Sequence, residues 1–330
     1  MENWIVGMIV LFIKLIVILA GLLLLATYLV WVERKLLARL QVRYGPNRAG
    51  RFGLLQPIAD VIKLVTKEDT VPEGADRIIF LVAPAMSAAT ALLIFAVIPL
   101  GGSIHLLGRP VPLVITDLPI GLLYIFALSS LSVYGVALGG WSSTSKYSLL
   151  GSIRSVAQMI SYELAFVLSI VPIVMMARSF SLVDIVNAQA QCPFVLKQPV
   201  SFILFFLSAM AEIKRIPFDL PEAENELVAG YHTEYSGMRF GLFFMGEYIT
   251  LVVLGALVTL FFWGGWWGPF LPPLVWFLIK VLIVVFFMIW VRGTLPRLRY
   301  DQLMRLGWKV LIPVALLNIL ATGAFLLGTK

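Results

Sequence analysis

Cysteine and histidine are nearly absent from this sequence. It contains one cysteine, Cys192, and two histidines, His105 and His232, which lie far apart in the chain. One thiol forms no intrachain disulfide, and an iron–sulfur cluster usually takes four cysteine ligands. The sequence also has no metal-ligand spacing and no glycine-rich nucleotide fingerprint. If the chain takes part in redox chemistry, we expect other proteins to carry the redox centres.

Charged residues are also scarce. They make up 13% of the chain, whereas 60% of the residues are hydrophobic and the mean hydropathy is +0.97. A soluble protein keeps about a quarter of its residues charged, so the surplus apolar surface is expected to face lipid. The N-terminal apolar run is too long for a signal peptide and has no small-residue cleavage site, so it is interpreted as the first span. The sequence predicts an all-α integral membrane protein, with residues 1–330 forming a single polytopic membrane domain.

Hydrophobic runs separated by turn residues predict about eight transmembrane helices of roughly 20 residues each. The predicted spans are residues 4–32, 77–100, 118–138, 155–177, 199–216, 240–263, 272–292 and 308–327. Between the first two, the segment "GLLQPIADVIKLVTKED" places its apolar residues on one helical face and Asp60, Lys63 and Lys67 on others. This pattern predicts a short amphipathic helix that lies on the membrane surface or packs on a partner.

The basic residues are distributed unevenly between the two sides. Of the 25 lysines and arginines, nineteen fall in or next to the breaks after spans 1, 3, 5 and 7 and four lie on the opposite side. The remaining two, Lys14 and Lys280, lie inside spans. The positive-inside rule therefore places the first group in the cytoplasm and both termini outside. This topology accounts for the net charge of +7, so no nucleic-acid partner is expected.

Carboxylates are concentrated in residues 212–248, which contain six glutamates and one aspartate. Residues 212–239 are predicted to form an acidic cytoplasmic loop between spans 5 and 6. Glu163, Glu212 and Glu247 approach from the cytoplasmic ends of three different spans, at similar depth. A charge at mid-membrane costs about 2.5–3.5 kcal/mol, so such residues are functional candidates by default. Adjacent carboxylates also exchange protons readily, as a proton relay requires.

A structural role for these acids is the alternative. Glu163 and Glu247 would then be paired, with Lys14 or Lys280 as partners. Three further acids lie between spans 5 and 6, where a solvated loop is as good an explanation as a functional one. If this segment is helical, the first and third share a face. These acids are Glu222, Glu224 and Glu226.

Four motifs carry a resemblance to a known family. They are "GLLQPIADVIKLVTKE", "PFDLPEAENELVAGYHTEYSGMRFGLFFMGEY", "ERK" after span 1 and "RGTLPRLRYDQLM" after span 7. Together they resemble the H subunit of respiratory complex I, the NADH:quinone oxidoreductase, essentially from end to end. The resemblance implies a proton-pumping enzyme in which this chain forms the heel of the membrane arm. It also implies partner subunits in the membrane and hydrophilic arms, with FMN and iron–sulfur clusters on the partners.

The resemblance further implies roles for individual residues. Quinone would enter from the lipid bilayer as substrate through a narrow chamber, and its head would dock on a neighbouring subunit. An apolar slot between helices suits an isoprenoid tail. The positions that match the chamber, as lining or bracing residues, are Arg34, Phe240, Arg292, Arg297 and Arg299. The positions that match the family's proton path are Asp60, Glu163, Glu212, Glu222, Glu224, Glu226 and Glu247. For the arginines, simple positive-inside anchoring is the alternative.

Two other functions remain open at the sequence level. One is the related membrane subunit of energy-converting hydrogenases, which use no quinone; the intact "GYHTEYSGMRF" favours the quinone branch. The other is a stand-alone proton or cation transporter, which is weakened because no internal repeat is evident. The expected location is the bacterial inner membrane in preference to the mitochondrial one.

Overall fold

Helices dominate the computed structural model, which describes residues 2–106, 109–220 and 228–328. The long helices are α1 (Glu2–Leu40), α3 (Arg77–Ile94), α4 (Gly121–Ser142), α5 (Lys146–Ala177), α8 (Pro199–Glu212), α9 (Gly237–Phe262), α10 (Pro273–Thr294) and α12 (Ile312–Gly328). The shorter ones are α2 (Gln56–Thr66), α6 (Leu182–Asn187), α7 (Phe194–Lys197) and α11 (Tyr300–Arg305). A π-helical turn at Leu306–Leu311 joins α11 to α12, and single 3₁₀ turns occur at Arg51–Gly53, Phe95–Val97 and Gly230–His232.

Seven helices of the described residues are long and apolar enough to cross a membrane, and α8 is a shorter apolar helix beside them. This arrangement confirms the all-α fold class and a multi-pass membrane protein. The amphipathic helix also forms, as α2. One feature was not predicted: an antiparallel hairpin in which β1 (Ser103–Leu106) pairs with β2 (Arg109–Pro112) between α3 and α4.

The helix boundaries differ from the predicted spans in two instructive places. The first helix continues to Leu40 because the residues after position 32 are strong helix formers such as Leu, Ala, Arg and Lys. The fourth span begins at Lys146 and not near residue 155, because three serines in its first turns are buried against neighbouring helices. These serines are Ser148, Ser152 and Ser155. Hydropathy alone scores such residues as loop, although tertiary packing holds them in a helix.

Small residues allow α4 and α5 to approach closely. A Cβ atom added at Gly140 would lie 2.3 Å from the side chain of Ser152. A Cβ at Gly151 would lie 2.7 Å from Gly230, so the 3₁₀ turn at Gly230–His232 rests directly on α5. Lipid is as apolar as a helix surface, so the hydrophobic effect does not drive helices together within a membrane. Small residues compensate because they allow close van der Waals packing between the backbones. The contacts hold α4, α5 and the turn in fixed relative positions.

Helix α8 is too short to span a bilayer. Its 14 residues extend about 21 Å, against a hydrocarbon thickness of about 30 Å. The chain then continues without helix through residues 213–220, and six of these eight residues are buried hydrophobic or charged groups. Non-helical backbone at membrane depth is tolerated only when protein buries it and satisfies its polar groups. We call residues 213–220 the buried linker.

One side chain of α5 satisfies this backbone. The Nε2 atom of Gln158 donates to the carbonyl of Ala211 at 2.8 Å and to the carbonyl of Phe218 at 2.7 Å. Gln158 itself is fully buried. It therefore ties the last turn of α8 to the far side of the buried linker and fixes the position of the residues between them.

Replacing Gln158 with leucine is expected to destabilise the fold. The change keeps the size of the side chain but leaves the Phe218 carbonyl without its Gln158 donor, at about 1–3 kcal/mol, while the Ala211 carbonyl keeps only its bond from the Lys214 N–H. The measurement is thermal unfolding of the purified complex in detergent, followed by the loss of this chain. Ser155→Ala is the matched control, since Ser155 is equally buried on α5 and, among the described residues, its hydroxyl donates only to the sulfur of Met159, at 3.9 Å. Equal stability of the two variants would contradict the role of Gln158.

Candidate functional site

A buried carboxylate, Glu33, lies at the centre of an ionic cluster. Its side chain is 2% exposed, and its Oε2 atom accepts a hydrogen bond from Nη1 of Arg215 at 2.7 Å. Its Oε1 atom accepts from Nη1 of Arg292, and Tyr248 lies near this carboxylate. The guanidinium of Arg215 lies 4.2 Å from the centre of the Tyr248 ring. The cluster thus ties α1, the buried linker, α9 and α10 together.

A second carboxylate, Asp219, lies on the other end of the buried linker. Its Oδ2 atom accepts from Nη2 of Arg297 at 2.9 Å, whereas its Oδ1 atom is buried without a hydrogen-bond partner among the described residues. Burial raises the pKa of the Asp219 carboxyl, although the bond and the charge of Arg297 oppose the shift. Asp219 also interacts electrostatically with Arg292 and Glu247, so it belongs to the same neighbourhood as Glu33.

Two more acids meet at the end of α8. Glu212 is buried, and its carboxylate interacts electrostatically with Glu163 of α5 and with Lys214 of the buried linker. Glu163 accepts a hydrogen bond from the hydroxyl of Ser130, and the neighbouring Ser129 lies near Glu212. Helix α4 therefore places one serine near each acid, and helices α5 and α8 bring the two carboxylates together.

Glu247 connects these two groups. Its Oε1 atom accepts a hydrogen bond from the hydroxyl of Tyr231 at 3.0 Å, and the ammonium of Lys214 lies 5.0 Å from the centre of the Tyr231 ring. Glu247 also interacts electrostatically with Arg215. A series of adjacent groups therefore leads from Glu163 and Glu212, through Lys214, Tyr231, Glu247 and Arg215, to Glu33. We call it the ionic network.

The surface helix α2 carries a separate ion pair. Nη1 of Arg34 lies 2.8 Å from Oδ2 of Asp60, and Gln56 donates to Oδ1 of the same carboxylate at 3.0 Å. The pair is half-exposed, with 47% of the Arg34 side chain and 32% of the Asp60 side chain accessible. A cavity of about 360 Å³, lined by Arg34, Arg43 and Tyr44 among others, lies beside it at the end of α1.

The sequence profile of the NADH dehydrogenase family matches residues 13–323. The chain belongs to this family. An H subunit of NADH-quinone oxidoreductase from Syntrophobacter fumaroxidans, numbered 2 in that organism, is 71% identical to it over 327 residues, or 99% of each chain. The H subunit from Syntrophotalea carbinolica is 62% identical over the same share, and one from Geobacter sulfurreducens, also numbered 2, is 66% identical over 91% of each chain. These findings confirm the resemblance drawn from the four motifs.

In this member of the NADH dehydrogenase family, the other sequence-predicted residues are not all gathered together. Phe240 stacks on Phe244 with ring centres 5.9 Å apart and meets the His232 ring edge-on at 5.4 Å. Arg299 lies apart: its side chain is 80% exposed and pairs with Asp301 at 3.2 Å. Three predicted acids fall outside the described residues, namely Glu222, Glu224 and Glu226.

The lysines inside the spans do not pair with the acids. The ammonium of Lys280 donates to the carbonyls of Trp263 at 2.7 Å, Gly265 at 3.0 Å and Trp267 at 2.7 Å. The ammonium of Lys14 donates to the carbonyls of Pro112 and Val114. The alternative in which Lys14 or Lys280 neutralises Glu163 or Glu247 is therefore wrong. Each lysine instead satisfies backbone carbonyls of a nearby connection.

Sequence reasoning missed Glu33 and Asp219. Glu33 precedes Arg34 in the "ERK" motif, and only the basic residue of this pair was assigned a role from the sequence. The available signal was its place directly after the long apolar run that ends at Val32, where an unpaired carboxylate is costly. Asp219 precedes Leu220 and Pro221 in a segment whose burial only the fold reveals. Arg215 was counted only among the basic residues that set the topology, whereas it is 7% exposed and pairs with Glu33.

Proposed function

We propose that this chain works as the H subunit of a proton-pumping NADH-quinone oxidoreductase. In this role its arginine-rich end helps form the quinone chamber, and its buried acids begin the path that couples quinone reduction to proton movement. The relatives described above are named for quinone reduction, which favours this function over the hydrogenase and transporter alternatives. FMN and the iron–sulfur clusters belong to partner subunits, and quinone is the substrate.

The ionic network is the observation that carries the proposal. It gathers four glutamates from four helices, together with a lysine and an arginine, inside a membrane protein. Charges at membrane depth are expensive and mark proton or ion pathways. Interacting carboxylates titrate as a group, so a change in charge at one end of the network is felt along it. The glutamates are Glu33, Glu163, Glu212 and Glu247.

The proposed chamber lies beside this network. Arg34 at the end of α1 pairs with Asp60 of α2, and Arg239, which precedes Phe240 at the start of α9, pairs at 2.9 Å with Asp69 of the segment that follows α2. The cavity beside Arg34, at about 360 Å³, falls within the range of small-molecule sites, which is about 300–1,000 Å³. A few donors at the end of an apolar slot suit a quinone head and its isoprenoid tail. Arg292 and Arg297 then brace the chamber wall through their bonds to Glu33 and Asp219.

Narrowing this slot is expected to weaken quinone use. Phe240→Trp adds volume between the Phe244 and His232 rings, and Arg34→Ala removes a donor, so we expect a several-fold higher apparent KM for quinone or inhibitor resistance in the assembled enzyme. Phe286→Trp is the control, because Phe286 is 47% exposed on α10 and is expected to face lipid. Unchanged kinetics with full assembly in both Phe240→Trp and Arg34→Ala would count against a chamber here.

The proposed orientation puts the arginine-rich end in the cytoplasm and both termini outside. In a Cys192→Ser background, a membrane-impermeant thiol reagent added from outside is expected to label Phe270→Cys and not Val42→Cys. Both positions are highly exposed on the chain surface, Phe270 at 103% and Val42 at 95%. The reverse labelling pattern would overturn the orientation.

A further inference from the structure

A serine directly before α9 is bonded to the segment that follows the surface helix α2. The hydroxyl of Ser236 donates to the carbonyl of Glu68 at 3.0 Å and accepts from the backbone N–H of Thr70 at 3.2 Å. Both hydrogen-bonding capacities of the hydroxyl are thus used on one short stretch of chain. The neighbouring ion pair of Arg239 with Asp69 is partly exposed, and such pairs contribute little. Ser236 is therefore the main polar attachment at this point.

Two glycines bring the backbones together beside Ser236. Gly237, the first residue of α9, has a φ of +56°, and a Cβ atom added there would lie 3.2 Å from the carbonyl oxygen of Lys67. One turn later, a Cβ atom at Gly241 would lie 3.2 Å from Cδ1 of Leu64 on α2. A side chain at either glycine would crowd α2. We call the contacts of Ser236, Gly237 and Gly241 with residues 64–70 the clasp.

The clasp is one of two attachments of the surface helix. Toward its start α2 is attached to α1, through the ion pair of Arg34 with Asp60 and through Trp31, whose Nε1 atom donates to the carbonyl of Phe52 at 3.2 Å in the turn before α2. Helix α2 is thereby held between the end of α1 and the start of α9. These two helices carry the proposed chamber residues Arg34 and Phe240. The separation of α2 from α9 consequently sets how far Phe240 lies from the surface helix.

We propose that Ser236, through the clasp, positions α2 beside Phe240 and so sets the width of the quinone entry, an inference that rests on the proposed function. Ser236 is a positioning residue, because it acts on quinone through α2. The clasp stays closed during turnover. When it is lost, only a fraction of the molecules hold α2 in place, and the apparent affinity for quinone falls by that fraction. Turnover at saturating quinone is unchanged, since none of the buried acids belongs to the clasp.

A reversible crosslink tests the clasp. Oγ1 of Thr70 and Oγ of Ser236 lie 3.2 Å apart, so we choose Thr70→Cys with Ser236→Cys in a Cys192→Ser background. With the thiols reduced, we expect a several-fold higher apparent KM for quinone at unchanged kcat in the assembled enzyme. With the disulfide formed, KM is expected to return to the wild-type value. Ser236→Cys alone, oxidised in the same way, controls for oxidation elsewhere. A normal KM in the reduced pair, or a raised KM that persists in the crosslinked one, would overturn the proposal.

A change in side-chain size tests the same separation without a crosslink. Gly241→Val places methyl groups against Leu64 and is expected to raise KM several-fold, and adding Leu64→Ala is expected to lower it again because space is restored. Thr66→Ala is the control on α2, since among the described residues the Thr66 hydroxyl bonds only to carbonyls of α2 itself. Equal KM values in Gly241→Val and Thr66→Ala would contradict the proposal.

Hydrogen exchange separates failure of this inference from failure of the proposed function. The backbone amides of α2 are expected to exchange faster in Gly241→Val and in the reduced cysteine pair, whether or not quinone passes this way. Unchanged exchange would show that the clasp does not hold α2, and faster exchange with an unchanged KM would show that it does not control quinone entry. Either result overturns the inference. If Phe240→Trp and Arg34→Ala also left KM unchanged, the proposed chamber itself would fail.

Discussion

Glu212→Gln is expected to leave the complex assembled while lowering proton-coupled quinone reduction at least about tenfold. Glu212 is buried at the end of α8, where it interacts with Glu163 and Lys214. Glutamine keeps the shape of the side chain and much of its hydrogen bonding, but it cannot release a proton. Electron entry through the flavin to artificial acceptors is expected to stay intact, because the proposed function assigns that reaction to partner subunits.

The measurement for Glu212 is the number of protons moved per quinone reduced, together with flavin-site activity and the amount of assembled complex. Glu212→Asp keeps the carboxylate with a shorter reach, so its coupled rate is expected to fall less. Asp301→Asn is a surface control, since half of the Asp301 side chain is exposed. A structural role predicts the opposite pattern, with lost assembly and a fully coupled remainder. Normal coupled turnover in Glu163→Gln, Glu212→Gln and Glu247→Gln alike would end the relay hypothesis.

Arg215→Leu is expected to abolish assembly of the complex. Arg215 and Glu33 form a 2.7 Å ion pair in which the arginine is 7% exposed and the glutamate 2%. Removing one partner leaves a buried carboxylate with only Arg292 to balance it, and breaking such a pair costs about 3–5 kcal/mol. This is a large part of the stability of an ordinary domain, which is about 5–15 kcal/mol. The measurement is the amount of complex recovered from membranes.

Arg34→Leu is the matched control for this change. Its partner Asp60 is half-exposed, and such a pair contributes about 0–1 kcal/mol, so normal assembly is expected. The double variant Arg215→Leu with Glu33→Leu removes both buried charges, and apolar replacements of buried pairs are often neutral. It is expected to recover assembly without recovering coupled turnover. Equal assembly of Arg215→Leu and Arg34→Leu would show that the buried pair does not stabilise the fold.

The spans of this protein could be predicted because apolar length and turn residues encode them locally. Helices α9 and α10 begin and end within about three residues of the predicted limits. Helix α5 could not be placed as well, since its first turns are polar in sequence and buried only by contact with α4 and the Gly230–His232 turn. Local sequence does not reveal which small polar residues meet a neighbouring helix.

In the candidate site, too, the sequence predicts the features that are local and misses those that depend on tertiary packing. Glu163, Glu212 and Glu247 could be found because an acid inside an apolar run is conspicuous. The connection of these acids through Lys214 and Tyr231 could not be predicted, because it depends on the path of the buried linker in the fold. Lys214 and Arg215 carry the same sequence signal as any basic residue after a span. Lys214 and Arg215 are buried because α8 ends at Glu212 and the linker that follows it stays inside the protein.

The shortness of α8 also sets how strongly Glu212 senses the membrane voltage. In the proposed orientation α8 starts near the outer face, so its 14 residues bring Glu212 about 21 Å through a layer of about 30 Å. A proton arriving from the cytoplasm then crosses roughly a third of the electric field. Moving one charge across the whole membrane costs about 2.3 kcal/mol per 100 mV. Protonation of Glu212 from the cytoplasm therefore costs only about 0.8 kcal/mol of electrical work per 100 mV. The electrical work of transport consequently falls mainly on steps that lie beyond this residue.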